Sequence, residues 1–117
     1  MAKILIVDDV PTNRDLLATV IRYMGHEPIE AWNGQEALDL IRQESPALVI
    51  CDVLMPVMDG YEMVRQLRNE PLHSDLPVIF HTAYYYQERE ALELAQACGV
   101  SDVLPKPAEP GQIMRTA

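Results

Sequence analysis

Five side chains in this sequence could do chemistry together, and each stands just past a run of apolar residues. Asp8 and Asp9 follow Lys3-Ile4-Leu5-Ile6-Val7, and Asp52 follows Ala47-Leu48-Val49-Ile50-Cys51. Thr82 comes two residues after Leu76-Pro77-Val78-Ile79-Phe80, and Lys106 comes after Val100–Leu104 and Pro105. Carboxylates gathered at one crevice repel one another, and a hard divalent cation bound through oxygen relieves the conflict. Mg²⁺, which takes few protein ligands and keeps several waters, suits such a set. A hydroxyl donor, an ammonium and a metal around one aspartate are what a phosphoryl group needs. The cations neutralise its oxygens while the carboxylate attacks as nucleophile. Taken singly, each residue has a plainer reading. Asp8-Asp9 read as helix-capping turn residues, Asp52 as a solvated strand end, and Lys106 as a surface lysine. Their joint occurrence points to a site centred on Asp52.

The elements that must position these groups are legible in the apolar periodicity. The runs ending at Val7, Cys51 and Phe80 are apolar throughout, the pattern of strands buried on both faces. Pro28-Ile29-Glu30-Ala31-Trp32 alternates weakly, and Val100–Leu104 runs into Pro105; proline cannot donate to a central ladder, so both read as edge strands. Pro11-Thr12-Asn13 reads as a turn, after which Leu16, Leu17, Val20, Ile21 and Met24 recur at helical spacing up to Gly25. Asn33 with Glu36, and Asp59 with Glu62, have the spacing of helix caps. The helices they open carry Ala37, Leu38 and Ile41 up to Ser45-Pro46, and Met63, Val64 and Leu67. Pro71 to Pro77 reads as a loop. A fourth helix is predicted from about Gln87 to Gly99, and a short last one from Pro110.

Strand and helix thus alternate through the chain, which predicts a parallel sheet with right-handed crossovers. With the proline-bearing strands at the edges, the arrangement is a flavodoxin-like, doubly wound five-stranded sheet of order 2-1-3-4-5. Its topological switch lies between the first and third strands, where Asp8, Asp9 and Asp52 would meet.

The 117 residues suffice for one domain, 1–117, and 49% are apolar, which argues against a disordered chain. Nine basic against 18 acidic side chains leave a formal charge of −9. That balance speaks against direct nucleic-acid binding, which needs cations against phosphates; a metal cation or a basic protein surface fits better. Cys51 and Cys98 have neither metal-ligand spacing nor a disulfide framework. Ile4–Val7 is too short for a signal-peptide core, and no apolar run reaches membrane-spanning length, so a cytoplasmic setting is expected.

On these residues the sequence resembles the receiver domain of two-component response regulators. Ile6-Val7-Asp8-Asp9, Asp52-Val53-Leu54-Met55-Pro56 with Asp59-Gly60, Thr82-Ala83 and Lys106-Pro107 fall in the order and spacing of that family. The resemblance implies that Asp52 accepts phosphate from the phosphohistidine of a histidine kinase or phosphotransfer domain. It implies that Asp9, Asp52 and the backbone carbonyl of Leu54 bind Mg²⁺ directly and that Asp8 acts mainly through a water. Thr82 and Lys106 would hold the phosphoryl oxygens, and the Lys106-Pro107 bond would be cis. Such a domain is a phosphoacceptor that assists its own phosphorylation and dephosphorylation rather than an enzyme. Leu54 and Tyr84 would flank the phosphate and hinder water, so slow self-dephosphorylation is expected.

Two departures stand out. Val103 occupies the position, three before the lysine, where receivers commonly carry an aromatic ring that turns inward on activation. The last helix is short, so the chain is expected to be a segment of a larger multidomain protein. Tyr84-Tyr85-Tyr86 reads either as an exposed loop or as a partner-binding or dimer-forming patch. His26, His73 and His81 are not clustered and read as structural or surface residues. Competing readings are a receiver-like interaction module that signals without phosphorylation, a flavin-binding relative, and a Mg²⁺-dependent aspartyl phosphatase. The phosphatase would need an acid/base aspartate two positions after the nucleophile, where Leu54 stands. The flavin protein would need a Ser/Thr-rich phosphate loop where Asp8-Asp9-Val10-Pro11 stands.

Overall fold

Along the first strand, β1 (Lys3–Val7), successive side chains leave by opposite faces. Ile4 and Ile6 pack with Leu17, Ala18, Val20 and Ile21 on one side. Leu5 and Val7 pack with Ala37, Leu38, Ile41, Met63, Val64 and Leu67 on the other. That division gives the architecture: helix α1 (Pro11–Tyr23) covers one face, and α2 (Gly34–Glu44) and α3 (Gly60–Arg68) cover the other. The computed structural model describes residues 2–53, 55, 57–82, 100 and 102–105, with the backbone alone described for Thr82 and residues 102–105.

The remaining strands are β2 (Glu27–Ala31), β3 (Leu48–Cys51), β4 (Val78–Thr82) and β5 (Asp102–Pro105). All pairings are parallel and the order is β2-β1-β3-β4-β5. The proline-bearing β2 and β5 are the edges, and β1, β3 and β4, built on the apolar runs Ile4–Val7, Leu48–Cys51 and Val78–Phe80, lie inside, as the residue pattern predicts. β3 is buried along its whole length. Removing each large apolar side chain of this core from water contributes about 1.5–3 kcal/mol. Along β2, the Glu27 N–H donates to the Ala2 carbonyl at 2.8 Å and the Ala31 carbonyl accepts from Asp8 N–H at 3.1 Å. Residues 27, 29 and 31 therefore turn their backbone groups toward β1, and Pro28 turns its donorless nitrogen outward.

Local signals set the helix ends. Asn33 and Asp59 cap α2 and α3, each side chain accepting the backbone N–H three residues on at 2.9 Å. Gly25, at φ +86°, closes α1, and the His26 N–H reaches back to the Ile21 carbonyl at 3.1 Å. Arg68 Nη1 donates to the carbonyls of His73, Ser74 and Leu76 at 3.3, 3.1 and 2.9 Å, which ties down the loop leading to β4.

The structure corrects three local expectations. Pro11–Asn13 form the first turn of α1 rather than a turn before it, because proline's fixed φ and missing N–H suit the first helical position. Leu16 is about half exposed, and Ala18 takes its expected place in the core. Strand β4 begins two residues after Leu76 and runs through Thr82, because its register is set by pairing Val78 with Val49. The predicted helices beyond Gln87 and Pro110, and Cys98, lie outside the described residues.

Candidate functional site

Pairing register brings the acidic residues together. Val7 is the partner of Cys51 across β1 and β3, and Asp8 and Asp52 are the next residue on each strand. The Asp52 N–H donates to the Val7 carbonyl at 2.9 Å, and the Asp8 N–H donates to the Ala31 carbonyl at 3.1 Å. Both aspartates are therefore locked to the carboxyl ends of adjacent strands, at the switch where β1 sends its connection one way and β3 the other. One carboxylate oxygen from each of Asp8, Asp9 and Asp52 lies within 4.8 Å of the others. Asp8 and Asp52 are buried and Asp9 is exposed, so the cluster opens to solvent on one side.

The surrounding loops are drawn in tightly. Asp8 Oδ1 accepts the Val10 N–H at 2.9 Å, fixing the turn into α1. After Asp52 the chain doubles back, and the Gly60 N–H donates to the Val53 carbonyl at 2.8 Å. A β-carbon on Gly60 would stand 2.6 Å from the Asp52 carbonyl oxygen, so α3 begins in backbone contact with the residue at the centre of the site. Gly34 starts α2 in the same manner, donating to the Met58 carbonyl at 3.1 Å. Between them, Val57 adopts φ +68°, a conformation that a β-branched residue holds only under strain.

Arg14 was not marked out by residue type or spacing alone. Its side chain is only 15% exposed, with Nη1 donating to the Asp8 carbonyl at 2.7 Å and Nε to Glu30 Oε1 at 3.3 Å. The available signal was a basic residue one turn into the helix that follows Asp8-Asp9, spaced to reach back over them. His81 is buried in β4, as a structural residue would be. His26 is partly buried, and its Nδ1 accepts the Ala2 N–H at 3.0 Å.

Of the other expected site residues, Thr82 ends β4 opposite Pro105, the residue that precedes Lys106 in the sequence. The Thr82 side chain, Leu54, Lys106 with its bond to Pro107, and Tyr84–Tyr86 lie outside the described residues. The three carboxylates offer oxygen donors only, which fits a hard divalent cation and not a thiophilic or imidazole-seeking one.

A five-stranded doubly wound sheet with an acidic cluster at its switch point defines a class of acidic-pocket α/β domain. Residues 4–117 match the sequence profile described as response regulator receiver domain. The chain belongs to that family. It is 41% identical over 113 residues to the "Probable transcriptional regulator ycf27" of Porphyra purpurea, covering 95% of this chain and 44% of the relative's length. Its fold superposes on chemotaxis protein CheY4 of Vibrio cholerae with a TM-score of 0.88 at 31% identity, covering 99% of this chain and 95% of the other. It also superposes on the receiver domain of sensor histidine kinase PA1611 from Pseudomonas aeruginosa PAO1. There the TM-score is 0.85 at 27% identity, with 97% and 92% of the chains covered. That structure is described with a magnesium ion coordinated in its active site cleft.

Proposed function

We propose that this receiver domain takes a phosphoryl group onto Asp52 from the phosphohistidine of a partner kinase or phosphotransfer domain and changes its binding surface in response. The observation that carries this reading is the approach of the Asp8, Asp9 and Asp52 oxygens to within 4.8 Å at the switch point. An Asp52 oxygen attacks phosphorus in line with the phosphorus–nitrogen bond of the donor. That bond breaks, and the imidazole leaves with its electron pair and takes up a proton. Asp9, Asp52 and the Leu54 carbonyl would hold Mg²⁺, with Asp8 acting through a water. Bound there, the ion would neutralise the transferring oxygens. Thr82 donates its hydroxyl to one phosphoryl oxygen and Lys106 places its ammonium beside another.

Phosphorylation adds about 1.5–2 negative charges. Drawing Thr82 toward them biases a pre-existing equilibrium of the β4–β5 surface, with Val103 in place of the usual ring. The domain transfers phosphate to itself and turns over no separate substrate. The Mg²⁺ reading is supported by the oxygen-only donor set and by the magnesium in the PA1611 receiver. Attachment to further domains is supported by the ycf27 relative, whose length this chain spans by 44%. A cytoplasmic setting accords with the described helices, none of which is long and apolar enough to cross a membrane.

The test is incubation with Mg²⁺ and a small acyl phosphate. Wild type should gain the mass of one phosphoryl group, labile as an acyl phosphate, and Asp52→Asn should gain none. Wild type left unmodified would sink the proposal.

A further inference from the structure

We propose that Arg14 is a positioning residue for the cation-binding carboxylates, holding the peptide between Asp8 and Asp9 in place from the edge strand through Glu30. This rests on the reading of the acidic cluster as a Mg²⁺ site. Asp8 is fastened through its N–H to Ala31 and through Oδ1 to Val10. The second bond closes a local turn around the peptide that follows Asp8, and Arg14 ties that same peptide to an element outside the turn. That unit is a rigid plane, and the orientation of its oxygen sets the direction in which the Asp9 α-carbon presents its carboxylate. Arg14 Nη1 grips that oxygen at 2.7 Å. The guanidinium is held in turn by Glu30 Oε1 at 3.3 Å, on β2, with the Arg14 side chain 15% exposed.

Two acceptors on different elements are thus engaged by one planar fork. A lysine carries the same charge but has a single nitrogen on a flexible stem, and cannot reproduce the fork. The geometry also separates position from charge. As a mere positive charge beside the cluster, Arg14 would repel a divalent cation, and its removal would tighten cation binding. As the clamp on the Asp8–Asp9 peptide, its removal loosens the ligand set and weakens binding.

The experiment compares wild type, Arg14→Met, Arg14→Lys and Glu30→Gln. Mg²⁺ affinity is read by calorimetry and by the fluorescence of Trp32, the sole tryptophan, which adjoins the Ala31 carbonyl that holds Asp8. The rate of phosphorylation from a small acyl phosphate is measured across Mg²⁺ concentrations, so that half-saturation and maximal rate are separated. Both Arg14 variants should raise the Mg²⁺ half-saturation by about 10-fold, the usual effect of losing a group that orients a ligand. Maximal rate should stay near that of wild type. Glu30→Gln, which keeps an acceptor for Nε, should give a smaller rise in the same direction.

Unchanged or tighter Mg²⁺ binding by Arg14→Met overturns the proposal, and so does full recovery of wild-type affinity in Arg14→Lys. Should both Arg14 variants fail to fold, an unchanged affinity in Glu30→Gln overturns it and a weakened one upholds it. A wild type that takes up no Mg²⁺ brings down the site reading as well. A wild type that binds it, alongside variants that bind it equally, brings down this inference alone.

Discussion

Gly60 and Asp52 are in backbone contact, so close that a β-carbon on Gly60 would sit 2.6 Å from the Asp52 carbonyl oxygen and 3.0 Å from the Val53 α-carbon. Both atoms belong to main chain and neither can swing aside. Gly60→Ala should therefore cost about 1–3 kcal/mol, the range for forced overpacking, even though alanine is the better helix former. The shift falls on Asp52, so phosphoryl uptake should slow as well. Chemical denaturation of the two proteins measures the first effect, and an alanine variant as stable as wild type would contradict the packing argument.

Val57 offers the opposite case. Its φ of +68° costs an L-residue with a β-carbon about 1–2 kcal/mol, and the residue is 84% exposed, so it contributes little packing in return. Asn tolerates this conformation. Val57→Asn should raise the urea midpoint, by about 1 kcal/mol in stability, without changing the slope of the transition. A lowered midpoint would mean that the valine makes contacts worth more than its strain.

The acidic cluster should make the metal-free protein less stable than it could be. Relieving repulsion with Asp9→Asn should raise the melting temperature in chelator. On the proposed Mg²⁺ reading, the same substitution should abolish the rise expected of wild type on adding the ion. That rise corresponds to about 2.7 kcal/mol at a hundred times the dissociation constant. Differential scanning calorimetry with and without Mg²⁺ decides both halves, and a Mg²⁺ response retained by Asp9→Asn would remove that residue from the ligand set.

Acid should weaken the clasp between α2 and the turn that follows α3. Arg42 Nη2 meets Glu70 Oε2 at 3.1 Å, and the hydrogen bond to Arg42 holds the Glu70 carboxyl below its ordinary value of 4.5. The same bond raises the Arg42 guanidinium. A carboxyl lowered in the folded state contributes stability that is fully present above 4.5 and lost as pH falls through the lower folded value. Both groups are at the surface, so the effect is small and salt-sensitive. Glu70→Gln should narrow the stability difference between neutral pH and pH below 4.5, and unfolding curves at the two pH values test it.

The readability of this fold was uneven for physical reasons. β1, β3 and β4 are buried on both faces, so their runs of Ile, Val, Leu and Phe need no partner to be recognised. Pro28 and Pro105 marked the edges because a missing donor is a property of the residue itself. The site followed from these, since carboxylates at the ends of adjacent strands must converge. Arg14 was illegible because its role depends on two acceptors, Asp8 O and Glu30 Oε1, that only the folded chain brings within its reach. Val57 was equally silent, because nothing in a valine's type announces a positive φ. Pro11 was misread because proline breaks a helix from within and begins one from its first position, and periodicity alone does not separate the two.

The outward nitrogen of Pro28 bears on assembly. A sheet grows by recruiting a neighbour's strand onto free donors, and this margin lacks one in the middle of its only outer ladder. Fibre-like propagation through β2 is thereby discouraged. The sheet thus ends at β2 by the chemistry of one residue, Pro28.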